Sequence, residues 1–350
     1  MTAESFTKLL EQGEVEASAP CRIDMGGTLD LSTFYLPLHS LGPCTFNAAL
    51  KLRTRVRLSP FEKGKVRIRS RGFEDFVAQS RSAPFNHPLG LMLAVAAYFD
   101  ADGVTIAIDS SSPPRSALGG SSVAAAALIW AFAKALAPTG RAMPRRSEVA
   151  LLAHAIEQSV AGVPCGTQDQ LAAAYGGINA WFWTGDPGSA GFRRQEVVPV
   201  AVCPEFSRSI LVAYCGRPHE SRDINGTWVR QFVGGQYRDL WRQIVECGHR
   251  FVEEVSAGRY DRAGEIMNTE TGLRRQMTPD VLDGVGERLV DAAVSHGCGA
   301  RFTGAGGGGC IWALGGPERI AGLRSVWGTI LEGHEKACLL DSGIDTDGIL

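Results

Sequence analysis

The chain contains no CxxC pair, no GxxxxGK[ST] loop, no long apolar run and almost no net charge. Each absence removes a class of protein. Nine scattered cysteines (21, 44, 165, 203, 215, 247, 298, 310 and 338) give neither a metal-ligand spacing nor an even-numbered disulfide framework. They read as buried or near-surface thiols in a reducing cytoplasm, where this protein is therefore expected. The missing Walker loop excludes a P-loop enzyme. The longest apolar run, Val123 to Ala133, ends at Lys134, too short for a bilayer span. A net charge of −2, spread along the chain, leaves no footprint for nucleic acid or a membrane surface. The opening MTAESFTKLLEQGEVEA lacks a basic stretch followed by an apolar one, so no secretory leader is expected.

What is present is enough sequence, 350 residues, for about two domains with sizeable cores. Strand-like and helix-like segments mix in both halves without repeats, which predicts two α+β domains. The Gly/Pro-rich TGDPGSAG at 184–191 is the expected boundary, giving domains 1–190 and 191–350. Before it, ASAPCRIDMGGTLDLSTFY reads as a strand interrupted by Gly26-Gly27, and residues 43–60 alternate as one or two half-exposed strands. Ser147 is placed to cap a helix through Val160, whose apolar stripe Glu157 borders. Thr167-Gln168-Asp169-Gln170 has the form of a capping box, with Asp169 in the first turn.

The organising stretch is SSPPRSALGGSSVAAAAL, Ser111 to Leu128. Pro113 and Pro114 hold the chain extended, Gly119 and Gly120 allow close approach, and Ser121 and Ser122 precede an Ala-rich helical run as N-cap candidates. A glycine turn feeding a helix presents unpaired N–H groups and a positive dipole end, which suits phosphate. Gly304 to Gly309 satisfies GxGxxG, but a strand, CIWAL, follows where a dinucleotide fold requires a helix. A glycine loop between strands can still line a phosphate with its amides.

APCRIDMGG, PPRSALGGSS and FTGAGGGGC, in that order, resemble the three motifs of the GHMP kinases, the superfamily of galactokinase, homoserine kinase, mevalonate kinase and phosphomevalonate kinase. HAIEQSVAGVPCGTQDQLAAAYGG resembles its Glu-then-Asp segment, and the LGGSS and YCGRPHES variants look most like the heptose-phosphate and fucose kinase branch. The resemblance implies a two-domain α+β fold, with an N-terminal domain like the second domain of ribosomal protein S5 and a C-terminal ferredoxin-like one. It also implies an ATP- and Mg²⁺-dependent kinase for a small sugar or sugar phosphate, monomeric or homodimeric. Ser116, Leu118, Gly119, Gly120, Ser121 and Ser122 would wrap the ATP phosphates; Ser121 or Ser122 with Glu157 would hold Mg²⁺. Asp169 would be the catalytic carboxylate, its pKa depressed by Arg22 and the helix terminus. Asp30, Gly26, Gly27, His219, Arg222, Asn225, Gly304, Gly306 and Gly307 would meet the substrate. Three positions depart from the family pattern, and Met25-Gly26-Gly27 is shorter by about one residue than in related sequences, which bears on the register of Asp30. Cys21 and Ala117 stand where glycines are usual, the alanine being tolerated if its φ is negative, and Arg301 stands where many members have lysine. A non-sugar alcohol such as mevalonate or homoserine is the second enzyme reading, and a non-catalytic ATP/sugar sensor the alternative class.

Overall fold

The computed structural model describes residues 6–11, 13–186, 191–217, 224–341 and 343–350. A short helix α1 (Phe6–Leu10) leads into strand β1 (Val15–Met25), helix α2 (Ser32–Tyr35) and strand β2 (Cys44–Pro60). Next come β3 (Lys65–Ser70), β4 (Phe76–Gln79), α3 (Gly90–Tyr98), β5 (Val104–Ser110) and α4 (Gly120–Leu136). Helices α5 (Arg146–Val160) and α6 (Gln168–Tyr175) and strands β6 (Ile178–Trp183) and β7 (Phe192–Val198) follow. The strands form one sheet in the order β4-β3-β5-β2-β6-β7, with β1 along the other edge of β2. β2 is a single strand of 17 residues, because two partners share its edge in succession: β5 against Thr54–Pro60 and β6 against Cys44–Ala48. Between Pro20 and Arg22 the β1–β2 register slips, a bulge of the kind that re-aims side chains beside active sites.

The remaining chain comprises α7 (Cys203–Arg208), β8 (Ile210–Tyr214), α8 (Ile224–Val233), α9 (Arg238–Ser256), α10 (Tyr260–Met277) and α11 (Gly284–Ser295). Strands β9 (Gly299–Phe302) and β10 (Cys310–Leu314), helix α12 (Pro317–Glu332) and strand β11 (Cys338–Leu340) complete it. Its antiparallel sheet runs β11-β8-β10-β9. Helix α9 buries Trp241, Ile244, Val245, Gly248, Phe251, Val252 and Val255, a stripe at helical spacing that packs inward. One core spans both sheets: Phe46 of β2 lies 5.0 Å from Phe251 of α9 and stacks on Trp312 of β10. The Ala-rich α4 with the turn that follows it, Gly120–Thr139, is long and apolar enough to cross a membrane by composition, yet 67% of that stretch's most apolar window is buried inside the protein. Beyond β11 the chain returns to the first sheet, where Asp345 N–H donates to the carbonyl of Ala49 (2.9 Å) and Lys51 N–H to that of Gly343 (2.8 Å). This return fills the stretch of β2 that β5 and β6 leave uncovered.

Several expectations change. The strand ends at Met25 and does not resume after Gly26-Gly27, because Gly26 turns the chain at a φ of 70°. The loop at 184–191 joins neighbouring strands of one sheet, so the passage to the second sheet comes after Val198. Ser121 and Ser122 lie inside α4, whose N-cap is the left-handed Gly119, and the serines turn to Glu157 instead. Thr167 makes no side-chain cap, and α5 is capped at Arg145, whose N–H donates to Glu148 (2.7 Å), two residues ahead of Ser147.

Candidate active site

The three glycine-bearing segments and the acidic segment converge on one cavity of about 760 Å³. Its lining includes Arg22 from β1, Thr28 and Asp30 from the turn after it, Ser116, Gly119, Gly120 and Ser121 from the loop entering α4, Asp169 from α6, Asn225 from α8 and Gly304. The bulge in β1 directs Arg22 here. Its Nε and Nη2 both lie 2.7 Å from Asp169 Oδ1, and its Nη1 donates to the carbonyl of Ala117 at 2.8 Å.

At the end nearest its N-terminus, α4 begins with N–H groups that no preceding helical turn can satisfy. The space a side chain at Gly120 would occupy is open, whereas one at Gly119 would press on the Asp169 carboxylate. Beside it, Ser122 and Ser121 donate to Glu157 at 2.7 and 3.2 Å, and Gln170 adds a third donor at 2.7 Å. Two hydroxyls and a carboxylate at a helix start are oxygen donors of the sort a hard divalent cation takes alongside phosphate. The residues present therefore fit Mg²⁺ and a polyphosphate. Burial pushes the Glu157 carboxyl above the usual range, with Ser122 pulling it back and Asp169 adding to the rise.

At the other end, Asp30 is buried, and its Oδ2 accepts the Gln168 N–H at 3.1 Å. Burial pushes its pKa up to about 6, against the pull of that N–H. Gly166 is required here, since any side chain would run into the Asp30 carboxylate. Thr28, at a φ of 76°, donates to Asn225 Oδ1 at 3.3 Å and so ties this end to α8.

Asp169 corrects an expectation. Its carboxyl is raised rather than depressed, because burial outweighs the attraction of Arg22 and Asp24 adds repulsion. Arg22 moves up as well: burial alone would lower it, but Asp169 and Asp24 more than offset that. Ala117 is a second correction. It adopts a φ of 60°, the left-handed conformation in which glycine is the relaxed residue.

Other expected site residues support the cavity from behind. Gly26 and Gly27 close the end of β1, where a side chain would meet the Cys44 carbonyl and the Asp24 carboxylate. Leu118 is buried in the core, with its carbonyl accepting Arg22 N–H at 3.3 Å. Gly306 and Gly307 pack on Val281, whose carbonyl accepts Gly307 N–H at 2.8 Å, so only Gly304 of the expected loop glycines reaches the cavity. His219 and Arg222 lie outside the described residues. Sequence reasoning passed over Thr28, Gly166 and Gln168; the glycine before TQDQ was the available signal for the close approach to Asp30.

Comparison with known proteins agrees with this geometry. Residues 86–177 match the model of the GHMP kinases N terminal domain, and 251–329 that of the GHMP kinases C terminal domain. A mevalonate kinase of Thermococcus sibiricus is 30% identical over 342 residues, covering 87% of this chain and 90% of the relative. Among solved structures, a D-glycero-D-manno-heptose 1-phosphate kinase from Bacteroides thetaiotaomicron superposes with a TM-score of 0.72 at 17% identity, covering 96% of this chain and 97% of that one. Lactococcus lactis galactokinase, complexed with galactose, gives 0.71 at 16% identity, covering 99% and 97%. The chain belongs to the GHMP kinases, and its two-domain α+β fold is theirs.

Proposed function

We propose that this protein transfers the γ-phosphoryl group of ATP to a hydroxyl of a sugar or sugar phosphate. The observation that carries the sugar assignment is the buried Asp30 carboxylate in the same cavity as Asp169. A carboxylate accepts hydrogen bonds from two adjacent hydroxyls, a pairing that polyols offer. Thr28, Asn225 and Gln168 line the cavity with it, and the cation beside Asp169, Arg22, is already committed to that carboxylate, with Arg71 and Arg115 also among the lining residues. An acceptor carrying its own carboxylate would be repelled by Asp30 and Asp169.

The chemistry follows from the placement. The first turn of α4 and Gly120 receive the phosphates, with Ser121, Ser122 and Glu157 holding Mg²⁺. When bound, Mg²⁺ neutralises charge on the phosphate oxygens. Both Arg22 donors fall on Asp169 Oδ1, which leaves Oδ2 to the acceptor hydroxyl. The acceptor oxygen bonds to the γ-phosphorus as the bond to the β,γ-bridging oxygen breaks. The electron pair leaves with ADP, and the acceptor proton passes to Asp169. A carboxylate made more basic by burial is better suited to that proton than the expected depressed one.

The name of the Thermococcus relative favours a second reading, mevalonate as acceptor. ADP release measured over galactose, fucose, heptose phosphates, mevalonate and homoserine separates the two. Turnover with a sugar or its phosphate is expected; turnover with mevalonate alone would overturn the sugar reading.

A further inference from the structure

Behind the Arg22–Asp169 pair, charges of alternating sign run into the interior. Asp24 is fully buried, and its Oδ1 lies 3.4 Å from Arg22 Nη1 and accepts Gly304 N–H at 2.7 Å. Its Oδ2 accepts Arg301 Nη1 at 3.1 Å, and its backbone carbonyl accepts Trp312 Nε1–H at 3.0 Å. Arg301 passes on to Glu270 at 2.8 Å, and Glu270 accepts Arg274, also at 2.8 Å. Arg274 lies between the rings of Trp228 and Trp241 and donates to the Gly27 carbonyl at 2.7 Å. Asp24, Arg301, Glu270 and Arg274 have no solvent exposure. Arg22, Arg301 and Arg274 balance Asp169, Asp24 and Glu270, so the row is neutral as a whole while each member depends on its neighbours.

We propose that Asp24 is a positioning residue for phosphoryl transfer, holding the Arg22 guanidinium and the Gly304 loop in one arrangement. This inference rests on the assignment of Asp169 as proton acceptor. Asp24 at 3.4 Å and the Ala117 carbonyl at 2.8 Å together hold Arg22 Nη1 on their side, so that Nε and Nη2 face a single oxygen of Asp169 and the other stays with the acceptor. It also takes up part of the Arg22 charge that would otherwise fall on Asp169. Without it, Asp169 holds its proton less strongly, and the glycine loop loses its fastening to β1. Charges and titratable groups that face Asp169 are Arg22, Asp24, Asp30, Glu157 and the Cys21 and Cys165 thiols. Among them Asp24 is the one that also touches Arg22 and the loop from the second domain.

The test is the Asp24→Asn protein, read in two ways. The carbon-13 signal of a labelled Asp169 carboxyl is titrated with pH, and ADP release is followed with the acceptor that wild type uses. The expected result is a lower Asp169 midpoint, an acid limb of kcat moved to lower pH, and a plateau kcat reduced on the order of ten- to a hundredfold. The KM for ATP stays near wild type. An unmoved or raised midpoint in Asp24→Asn overturns the proposal whatever happens to turnover, as does a lowered midpoint with turnover retained. If wild type phosphorylates no acceptor, the functional reading fails and this inference, which rests on it, fails with it; an unmoved midpoint in a protein that does phosphorylate an acceptor overturns the inference alone. Should Asp24→Asn not fold, Asp24→Asn/Arg301→Gln removes one charge of each sign and carries the same expected direction.

Discussion

The two glycine loops look alike in sequence and do opposite things. At Gly120 the absent side chain leaves room: nothing approaches the position of a side chain there within 4 Å, and the start of α4 opens onto the cavity. At Gly306 and Gly309 the absent side chain is already used by the protein. A Cβ on Gly306 would lie 2.5 Å from the Val281 carbonyl, and one on Gly309 2.7 Å from the Ser116 carbonyl. One loop keeps space for a ligand, and the other lets two backbones touch so that the second domain can brace the first. Glycine content alone does not tell a binding loop from a packing loop; the neighbours do.

That contrast is sharpest in paired substitutions. Gly309→Ala places a side chain at a φ of 87° against backbone that cannot yield. It is expected to cost roughly 2–5 kcal/mol of stability, the sum of left-handed strain and overpacking. Gly120→Ala should change stability by less than about 1 kcal/mol while weakening ATP binding. Denaturant unfolding and calorimetric ATP titration of both proteins check the pair. Equal stability losses would erase the distinction.

The acceptor end makes the next largest prediction. Ionised Asp30 is disfavoured in the folded protein, since burial raises its pKa from 3.8 to about 6. The native state then binds more protons than the unfolded chain between those values, so wild-type stability falls as pH rises through that window. Asp30→Asn removes this loss. The variant should be the more stable protein above pH 6, by up to about 3 kcal/mol, with the advantage gone below the unfolded pKa. Its kcat/KM for the sugar should fall ten- to a hundredfold, as for loss of one charged hydrogen bond. Thermal unfolding across pH, alongside sugar kinetics, reads both effects.

The smallest effect belongs to Ala117. Relieving its left-handed conformation with Ala117→Gly should stabilise the protein by about 1 kcal/mol, without changing ATP affinity, as thermal unfolding and titration would show.

These positions also mark what the sequence could and could not reveal. The order of the three motifs and the acidic segment was enough to bring Arg22, Asp30, Glu157, Asp169 and Gly119–Ser121 to one place. The sign of the Asp169 shift was not legible, because it depends on burial by distant segments and on Asp24 behind Arg22. Thr167 had the right residue type for a cap, but its side chain makes none. The loop at 184–191 had the composition of a boundary, yet β7 pairs with β6 across it, and pairing between strands leaves no local mark in composition. The buried row from Asp24 to Arg274 joins residues from β1, α10 and β9, so no single window of sequence contains it.

The most direct test of phosphoryl transfer in this cavity is a comparison of Asp169→Asn with wild type, measuring steady-state ADP release and ATP affinity in the same preparation. In the proposed reaction Asp169 takes the proton of the acceptor hydroxyl, and Arg22 holds its carboxylate in place. The expected result is a kcat lowered on the order of 10² or more, with the Kd for ATP close to wild type. Near-normal turnover in a folded Asp169→Asn protein would contradict the assignment and leave Asp169 as a helix-start residue paired with Arg22.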